Sequence, residues 1–301
     1  MTNELPPADI VGTRPAGEGP VGTLGLIRIT LATLRFNFWR LLVITLYAES
    51  IGVGLSLLVC CPLGLALGGH PEWTKYLAWP LVLPIAIPLA TGYAYAVLLQ
   101  ALGRRPKAKE VLHPIESGRL YLNVLGAAGL PTLATWIIYT AASQFPWPTA
   151  ATLLPAHPLL GHFLKLFASQ LPGFVALPFA FAGIDALVRR ARFVHALARS
   201  LHFACRQQIL FAGLIILNIC FAVGASSWGV LLRFTRIWSS DPMTNSGEAG
   251  KNFFLSIALM LAIVASGSLY FMVAGTINAL FYREFVWRER EAGQASAALL
   301  G

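Results

Sequence analysis

Charge is what this 301-residue chain has least of: Asp, Glu, Lys and Arg make up 12% of it, against 56% hydrophobic residues. A soluble domain carries about 25% charged residues to cover its surface. That scarcity, with a mean hydropathy of +0.67, excludes an ordinary soluble globular domain. Acidic residues are scarcer still, 13 Asp and Glu beside 22 Lys and Arg, for a net charge of +9. No clustered carboxylates offer paired acid–base chemistry or a metal cage. The four cysteines, Cys60, Cys61, Cys205 and Cys220, form no disulfide framework and read as small buried apolar residues.

Other absences narrow the function. There is no HExxH, no GxSxG and no Walker loop. His157 and His162 have no Cys or carboxylate beside them, a poor start for a metal site. The chain therefore reads as non-enzymatic, with no cofactor and no metal. No aromatic–basic platform stands outside the apolar segments, so nucleic acid is not an expected partner. The first residues carry no basic start followed by an apolar core, as a secretory signal would.

What the chain does have is long apolar runs. About 20 apolar residues cross a bilayer as a helix. Windows of that kind fall at 40–67, 76–101, 120–142, 166–188, 208–232 and 253–282, six in number. The expected fold is thus an all-α integral membrane protein of six transmembrane helices, forming a single domain over 21–290. Residues 1–20, rich in Pro and Gly, read as a disordered tail, and 291–301 as a flexible one. Lys and Arg bias sets orientation. With six spans, all of the 22 Lys and Arg except Lys75, Lys165, Arg233, Arg236 and Lys251 fall on the side of the amino terminus. Both termini are expected in the cytoplasm.

The segment 188–206, VRRARFVHALARSLHFACR, organises the rest. At about 100° per residue, Arg192, His195, Arg199, His202 and Arg206 share one narrow face. Phe193, Val194, Leu197, Leu201 and Ala204 gather opposite. This is a basic amphipathic helix of the kind that lies on a membrane surface. With Arg189 beside it, it could hold anionic lipid, serve only as an anchor, or meet a membrane or cytosolic protein partner. A second, less clean surface helix is expected over 22–37. Residues 28–36 (RITLATLRF) align without gaps to 195–203 (HALARSLHF), which raises an internal duplication, with shared amphipathic composition as the plainer explanation.

Ionisable groups inside spans are functional hypotheses by default. Glu49 lies near the middle of the first span. It is a proton- or cation-coupling group of a small-solute or amphiphile transporter, a contact to a bound polar head, or a protonated carboxyl bonded across a helix interface to Gln170, Asn218 or Asn278. Asp185 precedes Arg189 by four residues, the favoured order for a structural ion pair on a helix. Pro80, Pro84 and Pro88 in the second span, Pro131 in the third, and Pro172 and Pro178 in the fourth each remove a backbone donor and should bend or break their helices. Broken spans suit a transporter, while kinks also simply shape a bundle. Gly54, Gly126, Gly129, Gly267 and Gly275 read as close packing points.

Asp185, a basic stretch, and Ala196-Leu197-Ala198-Arg199-Ser200 ahead of a new span, with the closing Asn278-Ala279-Leu280-Phe281-Tyr282-Arg283-Glu284, are the residues that carry a family resemblance. They resemble a bacterial six-span group that includes the membrane domain of some glycerophosphodiester phosphodiesterases. The resemblance implies a stand-alone membrane domain in a bacterial inner membrane. The hydrolase activity does not carry over, because the metal-binding acid cluster has no counterpart here. The first half of the chain fits the pattern loosely.

Overall fold

From Thr23 onward no proline interrupts the chain until Pro62, and a single helix, α1 (Thr23–Ala66), results. At 1.5 Å per residue its 44 residues reach about 66 Å, roughly twice the hydrocarbon core of a bilayer. The computed structural model describes residue 11, residue 14 and residues 18–66, 71–143, 176–218 and 249–300. The surface helix expected over 22–37 is not a separate element but the first part of α1. Nothing in Phe36–Leu42 stops the helix: there is no Gly or Pro, and a helix once nucleated propagates.

The second helix, α2 (Pro71–Ala101), contains Pro80, Pro84 and Pro88 without interruption. Pro88 has no N–H to donate, so the carbonyl of Pro84 one turn earlier lacks its helical partner. The Tyr121 hydroxyl donates to it instead, at 3.2 Å. Gly103, at φ +76°, closes α2 in the left-handed conformation, with the Arg104 N–H donating to Leu99 O at 3.0 Å. The chain then folds back as a 3-10 helix, Ala108–Ile115, against α2. Gly92 permits this contact, since a Cβ there would collide with the Val111 carbonyl.

Next come α3 (Gly118–Val124), a π-helical turn at Leu125–Gly129, and α4 (Leu130–Ser143). Pro131 does not break this helix. The wider turn just before it absorbs the missing donor, and the Thr132 and Thr135 hydroxyls donate to the Ala128 and Pro131 carbonyls at 2.7 and 2.9 Å. A short 3-10 turn at Leu177–Phe179 leads into α5 (Ala182–Val188), every residue of which is buried. Arg190, at φ 49°, turns the chain into α6 (Phe193–Arg206). After Gln207, α7 (Gln208–Asn218) leaves at 102° to α6. The last helix, α8 (Ala249–Leu300), runs through the region expected to be a flexible tail.

The core is where α1, α2 and α8 pack on one another, with α5 and α6 closing one side. Tyr93, Phe181, Phe203, Phe281 and Tyr282 are fully buried there, and the Phe203 and Phe285 rings lie 4.2 Å apart. Gly275 lets α8 approach α2, because a Cβ there would meet the Tyr93 ring. Gly126 likewise faces the Phe193 ring, and Gly129 meets Ile87, whereas Gly54 and Gly267 meet nothing within 4 Å.

Among the described residues every regular element is helical. Three helical stretches there are long and apolar enough to cross a membrane: Thr23–Leu63, Pro80–Ala101 and Gly118–Ile138. The bent pair α6–α7 makes a fourth if it counts as one span. Gln170, Pro172, His157, His162, Cys220 and residues 166–175 and 219–232 of the windows 166–188 and 208–232 lie outside the described residues. The aligned segments 28–36 and 195–203 differ in setting: Phe36 is 81% exposed, whereas its counterpart Phe203 is 0% exposed.

Candidate functional site

On α6, three faces emerge rather than two. Ala196, Ser200 and Phe203 form the buried one. Ser200 secures it twice, donating to Pro178 O at 2.8 Å and accepting from the Phe181 N–H at 3.3 Å. Phe193, Val194 and Leu201 are exposed on the apolar side. Arg192, His195, His202 and Arg206 are exposed on the basic side. Among the described residues none of these four meets a carboxylate.

Arg199, the middle residue of the expected basic face, is turned inward. Its Nη1 donates to Asp185 Oδ2 at 3.0 Å, and its Nε lies 3.8 Å from Glu289 Oε1. Arg189 joins the same cluster, with Nε 3.1 Å from Asp185 Oδ1 and Nη2 donating to Glu289 Oε2 at 2.8 Å. The Tyr282 hydroxyl donates to Asp185 Oδ1 at 2.9 Å. Asp185, 1% exposed, is thus satisfied on both oxygens by residues of three segments. The expected Asp185–Arg189 pair forms, but Arg189 and Arg199 hold the fold together instead of facing outward. Arg189 keeps a raised pKa: burial works against its charge, and Asp185, Tyr282 and Glu289 more than offset that.

A second buried carboxylate has no counterpart among the sequence candidates. Glu284 of α8 is fully buried and accepts from Arg14 Nη2 at 2.9 Å, Arg288 Nε at 2.8 Å and the Val21 N–H at 3.0 Å. Arg14 also pairs with Glu291 at 2.6 Å. The guanidinium of Arg14 lies 5.1 Å from the Trp287 ring centroid and that of Arg283 lies 4.5 Å from it. The indole N–H donates to Val11 O at 3.2 Å. Residues 11 and 14, expected in a disordered tail, are therefore clasped to α8. Burial pushes the Glu284 carboxyl up, but hydrogen bonds from Arg14, Arg288 and Val21 bring it below the ordinary glutamate value. Burial pulls the Arg283 guanidinium down, and its Nη1 donates to Ala101 O, capping α2 at 2.9 Å. The signal that could have found this clasp is the REFVWREREA stretch itself, whose alternating charges face Arg14 once α8 is helical through its end.

Among the described residues Glu49 meets neither Asn218 nor Asn278, and the third expected partner, Gln170, lies outside them. The Ser268 hydroxyl of α8 donates to its Oε2. One turn earlier on α1, the Thr45 hydroxyl lies 3.0 Å from the Tyr93 hydroxyl. Asn218 donates to the Leu214 carbonyl of its own helix, and Asn278 Oδ1 is buried without a partner among the described residues. Pro84 and Pro131 sit in continuous helical turns, as above, and line no break. No group of His, Cys, Asp and Glu that could hold a metal occurs among the described residues.

Compared with protein-family models, curated proteins and solved structures, the chain finds no match.

Proposed function

We propose that the chain is a non-enzymatic, multi-pass protein of a bacterial inner membrane that binds anionic lipid at its cytoplasmic face through α6. The three described spanning candidates support the membrane setting, and the apolar windows 166–188, 208–232 and 253–282 complete a six-span topology with both termini inside. The observation that carries the lipid reading is the division of α6 into three faces. Its inward face is packed and keyed by Arg199, while Phe193, Val194 and Leu201 stand exposed beside exposed Arg192, His195, His202 and Arg206. An apolar stripe next to a basic stripe, both reaching the protein's surface, suits a helix lying at the headgroup boundary. Each cationic side chain near an anionic surface adds about 1 kcal/mol.

Native mass spectrometry of the protein released from mixed-lipid discs tests the reading. A variant carrying Arg192→Gln, His195→Gln, His202→Gln and Arg206→Gln, with Arg199 left to hold Asp185, is run beside the parent. Loss of anionic lipid in the variant is the expected result. Unchanged retention would reduce α6 to an anchor. Transport through the α1–α2–α8 bundle is the competing reading, and the Glu49–Ser268 bond between α1 and α8 is the observation in its favour.

A further inference from the structure

The elbow between α6 and α7 carries an open depression of about 390 Å³, lined by Arg206, Gln207, Gln208, Ile209 and Leu210 together with Arg288 of α8. We propose that it is a headgroup site for a singly charged phosphodiester lipid whose headgroup bears hydroxyls, as in phosphatidylglycerol. This rests on the lipid reading of α6 and names the ligand class and place.

Two features of the depression call for such a ligand. The first is positive charge from two elements. Arg206 meets no carboxylate among the described residues. Arg288 spends its Nε on Glu284 and its Nη2 on Val21 O, at 2.8 and 2.9 Å, which leaves Nη1 as a donor. A phosphate accepts from guanidinium groups with good geometry. The second is Gln207 of the lining, whose Oε1 is buried without a partner among the described residues and would gain one when the side chain turns toward a bound headgroup. A buried acceptor needs a donor. A phosphodiester group has none to give at neutral pH, but a headgroup hydroxyl does. Anion and hydroxyl are therefore wanted in one molecule.

The setting favours a lipid over a free phosphate ester. The 102° turn puts the polar run Cys205–Gln208 between a helix with a basic stripe and an apolar one. Ile209, 88% exposed, and Ile216, also exposed, follow along α7, where acyl chains would lie below a headgroup held at the elbow.

The test compares two lipids of equal charge, phosphatidylglycerol and phosphatidylmethanol, the second lacking headgroup hydroxyls. The full chain is released from discs containing both, each in a phosphatidylcholine background, and retained lipid is counted by native mass spectrometry. The parent should retain phosphatidylglycerol about fivefold over phosphatidylmethanol, the worth of one net hydrogen bond. Gln207→Leu removes an unpartnered acceptor, so it should melt like the parent, keep its total anionic lipid and lose the preference. Equal retention of the two lipids by the parent, or a preference that survives Gln207→Leu, would overturn the elbow site while leaving the α6 surface reading in place. Retention of neither lipid above phosphatidylcholine would sink both. Displacement of the lipid by soluble glycerol phosphate at matched concentration would show that a free ester, not a lipid, is the occupant.

Discussion

Arg199 Nη1 donates to Asp185 Oδ2 at 3.0 Å, joining α6 to the buried helix that precedes it. The bond fixes how α6 is rolled about its own axis. With Arg199 pointing inward beside Ala196, Ser200 and Phe203, the apolar residues emerge on one flank and the remaining basic residues on the other. A side chain that looks in sequence like one more surface charge is thus the residue that aims the surface.

Loss of that bond should be felt in stability. Arg199→Gln removes one charge-assisted hydrogen bond to a buried carboxylate and should cost about 2 kcal/mol. Asp185→Asn keeps an acceptor for Tyr282 but leaves Arg189 and Arg199 facing a neutral group, and should cost about 3 kcal/mol. Unfolding curves in mixed detergent would show both, and the double variant should fall short of their sum because the residues are in contact. Additive costs would mean that the pair is not coupled.

Acid should open the Arg14–Glu284 clasp. The folded carboxyl lies below the ordinary glutamate value of about 4.3, so its contribution is fully present above that pH and is lost as pH falls through the folded value. Hydrogen exchange of the Val21 amide, which donates to Glu284, should stay slow from pH 7 to about pH 5 and rise below about pH 4, after correction for the intrinsic rate. Glu284→Gln should exchange faster throughout and lose the acid step. A step that persists in the variant would assign it to another carboxylate.

Close approach of α8 to α2 depends on Gly275. Gly275→Ala drives a methyl into the Tyr93 ring and should cost about 1–3 kcal/mol. Gly267→Ala, on the same helix with nothing within 4 Å, should be neutral or slightly stabilising, since Ala is the better helix former. Melting temperatures of the two variants decide the point, and equal shifts would contradict the packing described.

Glu49→Gln separates the two functional readings. The amide oxygen still accepts from Ser268, so stability should change by less than about 1 kcal/mol and lipid retention should stay. Proton-driven uptake by reconstituted vesicles that vanishes in this variant would move the function from the α6 surface to the bundle.

Much of the helical content was legible because it follows from local rules. The apolar run that becomes α2 and the i,i+4 spacing of Asp185 and Arg189 each depend on neighbours along the chain, and both appear in the fold. The prolines were harder to read. Whether Pro88 leaves a broken turn depends on Tyr121, which comes from another helix and donates to the freed Pro84 carbonyl. The Glu284 clasp was missed for the same reason: Arg14 and Glu284 are far apart in sequence, and no periodicity links them.

The sequence by itself determined that the chain is helical, strongly apolar and basic, with an amphipathic segment at 193–206, because composition and a 3.6-residue period are local properties. Tertiary structure alone decided which charges remain at the surface. Segments 28–36 and 195–203 look alike, yet the first lies within the unbroken α1 and the second leads to a 102° bend. The bend follows no Gly or Pro; it comes where Phe203 and Leu210, both buried, anchor the two sides of Gln207 in the core. Burial of a side chain is a matter of what packs over it, and that is supplied by residues distant in the chain.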